Sequence, residues 1–186
     1  MMTFVNMDAD GLSILPTHRV VHGLAGFDET RVLNQVQGLF TAEKLERVGG
    51  NPSDALSGEG DTAFVLVLKQ GAWLLRPKAE AIAPMLNGLA ERQKKLDLIV
   101  LHKVLLEHVL GLSSEDICEQ EHLRYLRDAA EAVEQVHRRD ANAAFLTKPV
   151  TMEQLKEVAF TGEVMPQKST DFYPKLLSGL TIYGLD

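Results

Sequence analysis

Two short segments carry side chains that could do chemistry together. Thr17, His18 and Arg19 place a hydroxyl, an imidazole and a guanidinium in three consecutive positions. Lys168, Ser169 and Thr170, with Lys175 close behind, add ammonium groups and hydroxyl donors in a stretch that reads as irregular. Such groups suit an anionic ligand, because charge-assisted hydrogen bonds to phosphate or carboxylate are the strong ones. Among them His18 is the candidate acid or base. In a straight strand Thr17 and Arg19 would face one side and His18 the other, so all three can line one site only if the backbone bends. Pro16 allows such a bend.

Gly162–Ser169 invites comparison with the phosphate loop G-x-x-x-x-G-K-[ST], since Lys168 and Ser169 fall at the matching positions. The comparison fails on physics. Gln167 stands where the second glycine is needed, Pro166 removes a backbone N–H, and the segment follows a helix pattern instead of a strand, so no cradle of amides is expected. Other chemistries have less support. His102 and His108 are six apart on a helix pattern and fall on different faces, off the i, i+4 spacing of zinc-binding helices, and His18 and His22 lack a third ligand. No metal site is expected. Cys118 sits in the acidic run Ser114–Glu119, where negative neighbours raise a thiol pKa, and it reads as inert. Ser169 has no G-x-S-x-G context.

The elements that must hold these residues are legible in outline. Thr3–Met7 and the extended stretch Leu12–Val21 suggest a first hairpin. Asp28 is placed to cap a helix with Val32, Leu33, Val36 and Leu39 on one face, ending near Gly38. The Gly49–Gly60 stretch is rich in Gly, Pro, Asn, Asp and Ser and reads as a mobile loop. Thr62–Lys69 and Ala72–Arg76 form a second hairpin around Gln70-Gly71, with Trp73 in packing. A helix over Ala79–Lys95 should break near Pro84. Asp97 is expected to cap a buried helix over Leu98–Leu110, closed by Gly111.

Further on, Leu123–Leu126 and Ala143–Leu146 read as strands around a helix from Ala129 to Arg138 that Asp128 and Glu131 begin. Thr151 and Gln154 open another helix, stopped by Gly162, and Leu180–Tyr183 supplies a last strand. The first half is rich in hairpins, while strands and helices alternate in the second. The expected class is α+β, mixed α/β in character, with helices packed on a mixed sheet.

The chain has 186 residues, 45% hydrophobic and 24% charged, which suits a single folded domain over 1–186. A formal net charge of −7, a pI near 5.4 and scattered Lys and Arg argue against nucleic acid as a partner. One cysteine forms no internal disulfide, and no apolar run approaches a membrane span, so a cytoplasmic protein is expected.

Gly11–Val21, with its Pro16-Thr17-His18-Arg19 core, and Gly162–Leu176 closely resemble the prokaryotic family called domain of unknown function 1015. The order of the helices between them, around Leu98–Gly111 and Asp128–Thr147, fits as well. Members of that family usually carry an Ala-Asp-Gly-His-His-Arg-Tyr-Glu-Thr-Ala-like motif upstream, in a region similar to ParB and sulfiredoxin-like proteins. That motif is absent here, so the chain reads as the C-terminal part of a longer protein. Thr147-Lys148-Pro149-Val150 also stands where the family more often has a Leu-Asn-Pro-Thr-like turn. Some relatives in the wider group are nucleotide-dependent phosphotransferases acting on small molecules, among them a free serine kinase, while others bind DNA or repair oxidised cysteine. The resemblance therefore implies nucleotide or phosphate chemistry.

Two functions compete. In the first, the chain is the supporting half of a phosphotransferase-like enzyme, inactive alone, which contributes an anion site from Thr17, Arg19, Lys168, Ser169, Thr170 and Lys175, with a nucleotide as cofactor. In the second, it is a non-catalytic module that binds a ligand or protein and regulates a partner. Either allows a homodimer through exposed sheet edges. The first requires Arg19 and Lys168, about 150 positions apart, to meet in the fold.

Overall fold

A computed structural model describes residues 6–8, 11–46, 53–58 and 62–175. Its architecture is α+β. Six strands form the main sheet: β2 (His18–Val21), β3 (Phe40–Leu45), β4 (Phe64–Leu68), β5 (Gly71–Pro77), β6 (Leu123–Leu126) and β7 (Ala143–Leu146), in the order β3-β5-β4-β7-β2-β6. A separate two-stranded ladder joins β1 (Ser13–Leu15) to β8 (Asp171–Tyr173). All pairings are antiparallel, so the expected mixture of strand directions is not found among the described residues. The helices between strands do not return the chain in parallel; β7, for example, enters between β4 and β2 and runs against both.

Helices cover both faces. On one, α1 (Glu29–Leu39), α3 (Ala79–Ile82) and a long helix over residues 97–109 pack on Val21, Phe64, Leu66, Leu68, Trp73, Leu75 and Phe145. On the other, α7 (Ala129–His137) sets Ala129, Ala132, Val133 and Val136 against Val20, Val65, Val67, Ala144 and Leu146. This alternation of side chains along each strand is what lets one sheet serve two cores.

Local signals account for many boundaries. Asp28 and Asp128 each accept two backbone N–H bonds at the start of α1 and α7. Thr151 and Gln154 close a reciprocal capping box on α8 (Met152–Phe160). Pro84 converts the helix begun as α3 into a 3-10 turn, Ala83–Leu86, before a short α4 (Glu91–Lys94).

Several expectations change. Leu12–Val21 is not one strand, because the chain leaves the small ladder at Pro16 and enters the main sheet at His18. α1 ends at Leu39, next to Gly38 as expected, but the chain passes straight into β3, a strand the sequence pattern does not show. Of the Gly49–Gly60 stretch only residues 53–58 are described, and they include a helical turn, α2 (Ser53–Leu56), with Leu56 buried.

Asp97 does not cap. It is the first residue of α5 (Asp97–Val100), and its carboxylate lies 3.7 Å from Lys148 Nζ. α5 continues in π form over Leu101–Val109, a geometry that is uncommon and favoured at functional sites. Its wider turn is visible in the 3.1 Å bond from the Leu110 N–H to the Leu105 carbonyl. A shorter helix, α6 (Ser114–Glu119), follows. Thr3–Met7 lies largely, and Leu180–Tyr183 wholly, outside the described residues.

Candidate functional site

The ladder β1–β8 pairs Leu15 with Asp171. That register carries the residues just after β1 beside those just before β8, and so brings Thr17–Arg19 to Lys168–Thr170. The meeting point is a guanidinium. Arg19 donates to the Thr17 carbonyl and, from its other terminal nitrogen, to the Lys168 carbonyl at 3.4 Å. Arg19 is only 1% exposed, and it stacks on Tyr125, its ladder partner on β6, with 5.2 Å from guanidinium carbon to ring centroid. Burial lowers its pKa to about 10, against the effect of Tyr125, so it stays charged at neutral pH.

His18 faces the opposite side of the sheet, as strand alternation requires. Its Nδ1 accepts the backbone N–H of Thr147 at 3.2 Å, and Thr147 Oγ1 in turn donates to the Thr17 carbonyl at 3.2 Å. Burial first, then Arg19, lowers the His18 pKa to about 4, with Asp128 acting the other way. At neutral pH the ring is therefore uncharged with Nδ1 engaged, an arrangement that suits holding the Thr147 turn better than donating a proton.

The remaining predicted residues are placed unequally. Lys168 is exposed and adopts a left-handed backbone, φ 57°, which turns its carbonyl inward to Arg19 while its ammonium stays on the surface. Ser169 is buried, and its hydroxyl donates to the Pro166 carbonyl within the turn. Thr170 and Thr17 are half-buried. Lys175 pairs with Asp171, which Arg127 also contacts, at 2.8 Å from Nη2. Partial burial pushes the Asp171 carboxyl up, but its hydrogen bonds from Lys175 and Arg127 outweigh this and hold it below its ordinary value.

Sequence reading misses three members of this neighbourhood. Thr147 shows in the sequence only as the first residue of a turn, and Tyr125 not at all, until the strand order sets them beside β2. His102 leaves a trace, as a lone imidazole on an apolar helix pattern. It is buried, and its pKa falls to about 3 through burial, then Arg19, then Lys103. Two clefts lie elsewhere: one between the Leu24–Asp28 loop and the end of the π segment, with Arg31 and His108, and a polar one with Arg124, Glu131 and Arg138. Among the described residues no three His, Cys, Asp or Glu side chains gather as metal ligands, and no helix is long and apolar enough to cross a membrane.

Residues 1–99 match the family described as Protein of unknown function (DUF1015). The chain belongs to that family. The matched residues include Gly11–Val21, and Gly162–Leu176 lies beyond them. No curated protein sequence matches. Among solved structures, a conserved hypothetical protein from Pyrococcus furiosus has a similar fold at TM-score 0.52 and 18% identity, over 90% of this chain and 59% of that one. Free serine kinase in complex with AMP is similar at TM-score 0.52 and 16% identity, over 90% of this chain and 56% of that one. A point variant of that kinase with AMP gives 0.51 and 16%, over 90% and 57%. This DUF1015 chain thus spans less than three fifths of the length of those proteins, and at these identities the likeness concerns the fold.

Proposed function

We propose that this chain is the supporting part of a nucleotide-using, phosphotransferase-like enzyme acting on a small molecule, and that it contributes an anion-facing edge where Thr17–Arg19 meets Lys168–Thr170. The observation that carries this reading is the Arg19 guanidinium, which ties together two segments 149 positions apart. The fold adds support, since a protein of similar fold, free serine kinase, holds AMP. In this reading Lys168 meets the ligand with its exposed ammonium and Thr170 adds a hydroxyl. Arg19 and His18 position the two backbones that shape the edge, and Ser169 locks the turn. Lys175, paired with Asp171, holds the β8 side of that edge.

Titration of AMP and ADP into the full-length protein by calorimetry tests the proposal. Lys168→Ala should weaken binding about tenfold, the scale of one charge-assisted contact, while the melting temperature stays unchanged. Arg19→Ala should instead lower stability by about 2 kcal/mol, because a buried side chain is removed and two carbonyls lose a donor. Equal affinity in wild type and Lys168→Ala removes the anion-facing edge, and absence of heat with either nucleotide overturns the nucleotide reading.

The burial of His18, Arg19 and Ser169 favours a second reading, a regulatory module that binds a ligand or a protein without catalysis. It predicts no nucleotide response in any variant.

A further inference from the structure

A cation removed from water is stable where an opposite charge or a full set of acceptors receives it. Arg19 has neither. Its two terminal nitrogens reach carbonyl groups, its Nε–H has no acceptor, and the group that acts on its charge against burial is the Tyr125 phenol, not a carboxylate. Two more side chains carry orphaned atoms. Tyr125 Oη and His102 Nε2 are both buried without a hydrogen-bond partner. Tyr125 stacks on Arg19, and the Arg19 charge acts on the His102 imidazole of the π segment.

We propose that Arg19, His102 and Tyr125 form an internal seat for one oxyanion of a small ligand, a phosphoryl or carboxylate group, entered when the Gln167-Lys168 turn lifts. This rests on the anion-binding reading above and names the inner residues that complete it. The chemistry is complementary. A planar guanidinium offers paired donors to two oxygens of one anion. Neutral imidazole and phenol groups add hydrogen bonds without a second positive charge, so one bound negative charge leaves the pocket neutral.

The entrance is the most exchangeable contact of Arg19. At 3.4 Å the bond to the Lys168 carbonyl is long, and it depends on a non-glycine residue held in the left-handed region. An anionic oxygen replaces that carbonyl at little loss.

The test is NMR of the intact, nitrogen-labelled protein titrated with inorganic phosphate, against sodium chloride at equal ionic strength. The Arg19 Nε–H and His102 ring signals should shift and saturate with phosphate alone, and ten times the Kd should raise the melting temperature by about 4 °C. Formate in place of phosphate distinguishes a carboxylate from a phosphoryl ligand. Arg19→Met fills the same space without a buried charge and should lose both responses. Should that variant not fold, Tyr125→Phe, which removes only the hydroxyl, should weaken phosphate binding about fivefold. Signals that do not move, or a phosphate response that persists unchanged in the variants, overturn the seat. AMP binding without a shift at Arg19 sinks the seat and leaves the nucleotide reading standing; a phosphate shift at Arg19 without AMP binding does the reverse.

Discussion

In β4 five consecutive apolar residues, Phe64–Leu68, are buried on both faces of the sheet, whereas β2, two strands away, opens with His18 and Arg19 before it reaches Val20 and Val21. Burial is nearly complete in both. What differs is the source of stability. For β4 it comes from apolar area and close packing, which ask only for shape. For β2 it comes from particular partners, namely the Thr147 N–H, two carbonyls and the Tyr125 ring, and it depends on charge state.

The comparison is sharpest where each strand is cut. Leu66→Ala should destabilise by about 3 kcal/mol in urea unfolding, the ordinary result of a cavity between strand and helices, and should do so equally at pH 7 and pH 5. β2 should respond to pH instead. The His18 pKa is depressed from 6.5 to about 4 in the folded state, so the unfolded chain binds its proton first. That contribution is whole above pH 6.5 and fades as pH falls toward 4, which amounts to about 2 kcal/mol by pH 5. His102, lowered to about 3, adds a loss of the same sign that continues to about pH 3. His18→Asn, which keeps an acceptor for Thr147, should remove about 2 kcal/mol of the loss at pH 5 and leave the His102 share; an unchanged slope would mean that His18 is not buried neutral.

A smaller effect tests the helix that covers the second face. Asp128→Ala should lower stability by about 1 kcal/mol, since the carboxylate accepts the Ala130 and Glu131 N–H groups at the start of α7. A loss of several kcal/mol would show that α7 depends on its cap more than on the packing of Ala132 and Val136.

Where neighbours in sequence are also neighbours in space, the residues announced their structure. Asp28, Asp128 and Thr151 mark helix starts because a cap reaches only two or three residues ahead. Gln70-Gly71 marks the β4–β5 hairpin and Pro84 the break in its helix for the same reason. Phe40–Leu45 gave no such notice. Its FTAEKL sequence has the mixed polarity of an edge strand and becomes one by pairing with β5. Asp97 resembled a cap and became an ion-pair partner of Lys148, fifty-one positions away.

The candidate site divides along the same line. Sequence by itself determined which polar groups were available, Thr17 to Arg19 and Lys168 to Lys175, and that Pro16 would let the chain turn between them. Tertiary structure alone decided that β8 pairs with β1, that Arg19 turns inward to Tyr125, and that Lys168 offers a carbonyl to the interior and an ammonium to solvent. The physical reason is range. Caps and turns act over a few residues, while the fate of a buried charge is set by whatever strand order and helix packing bring beside it.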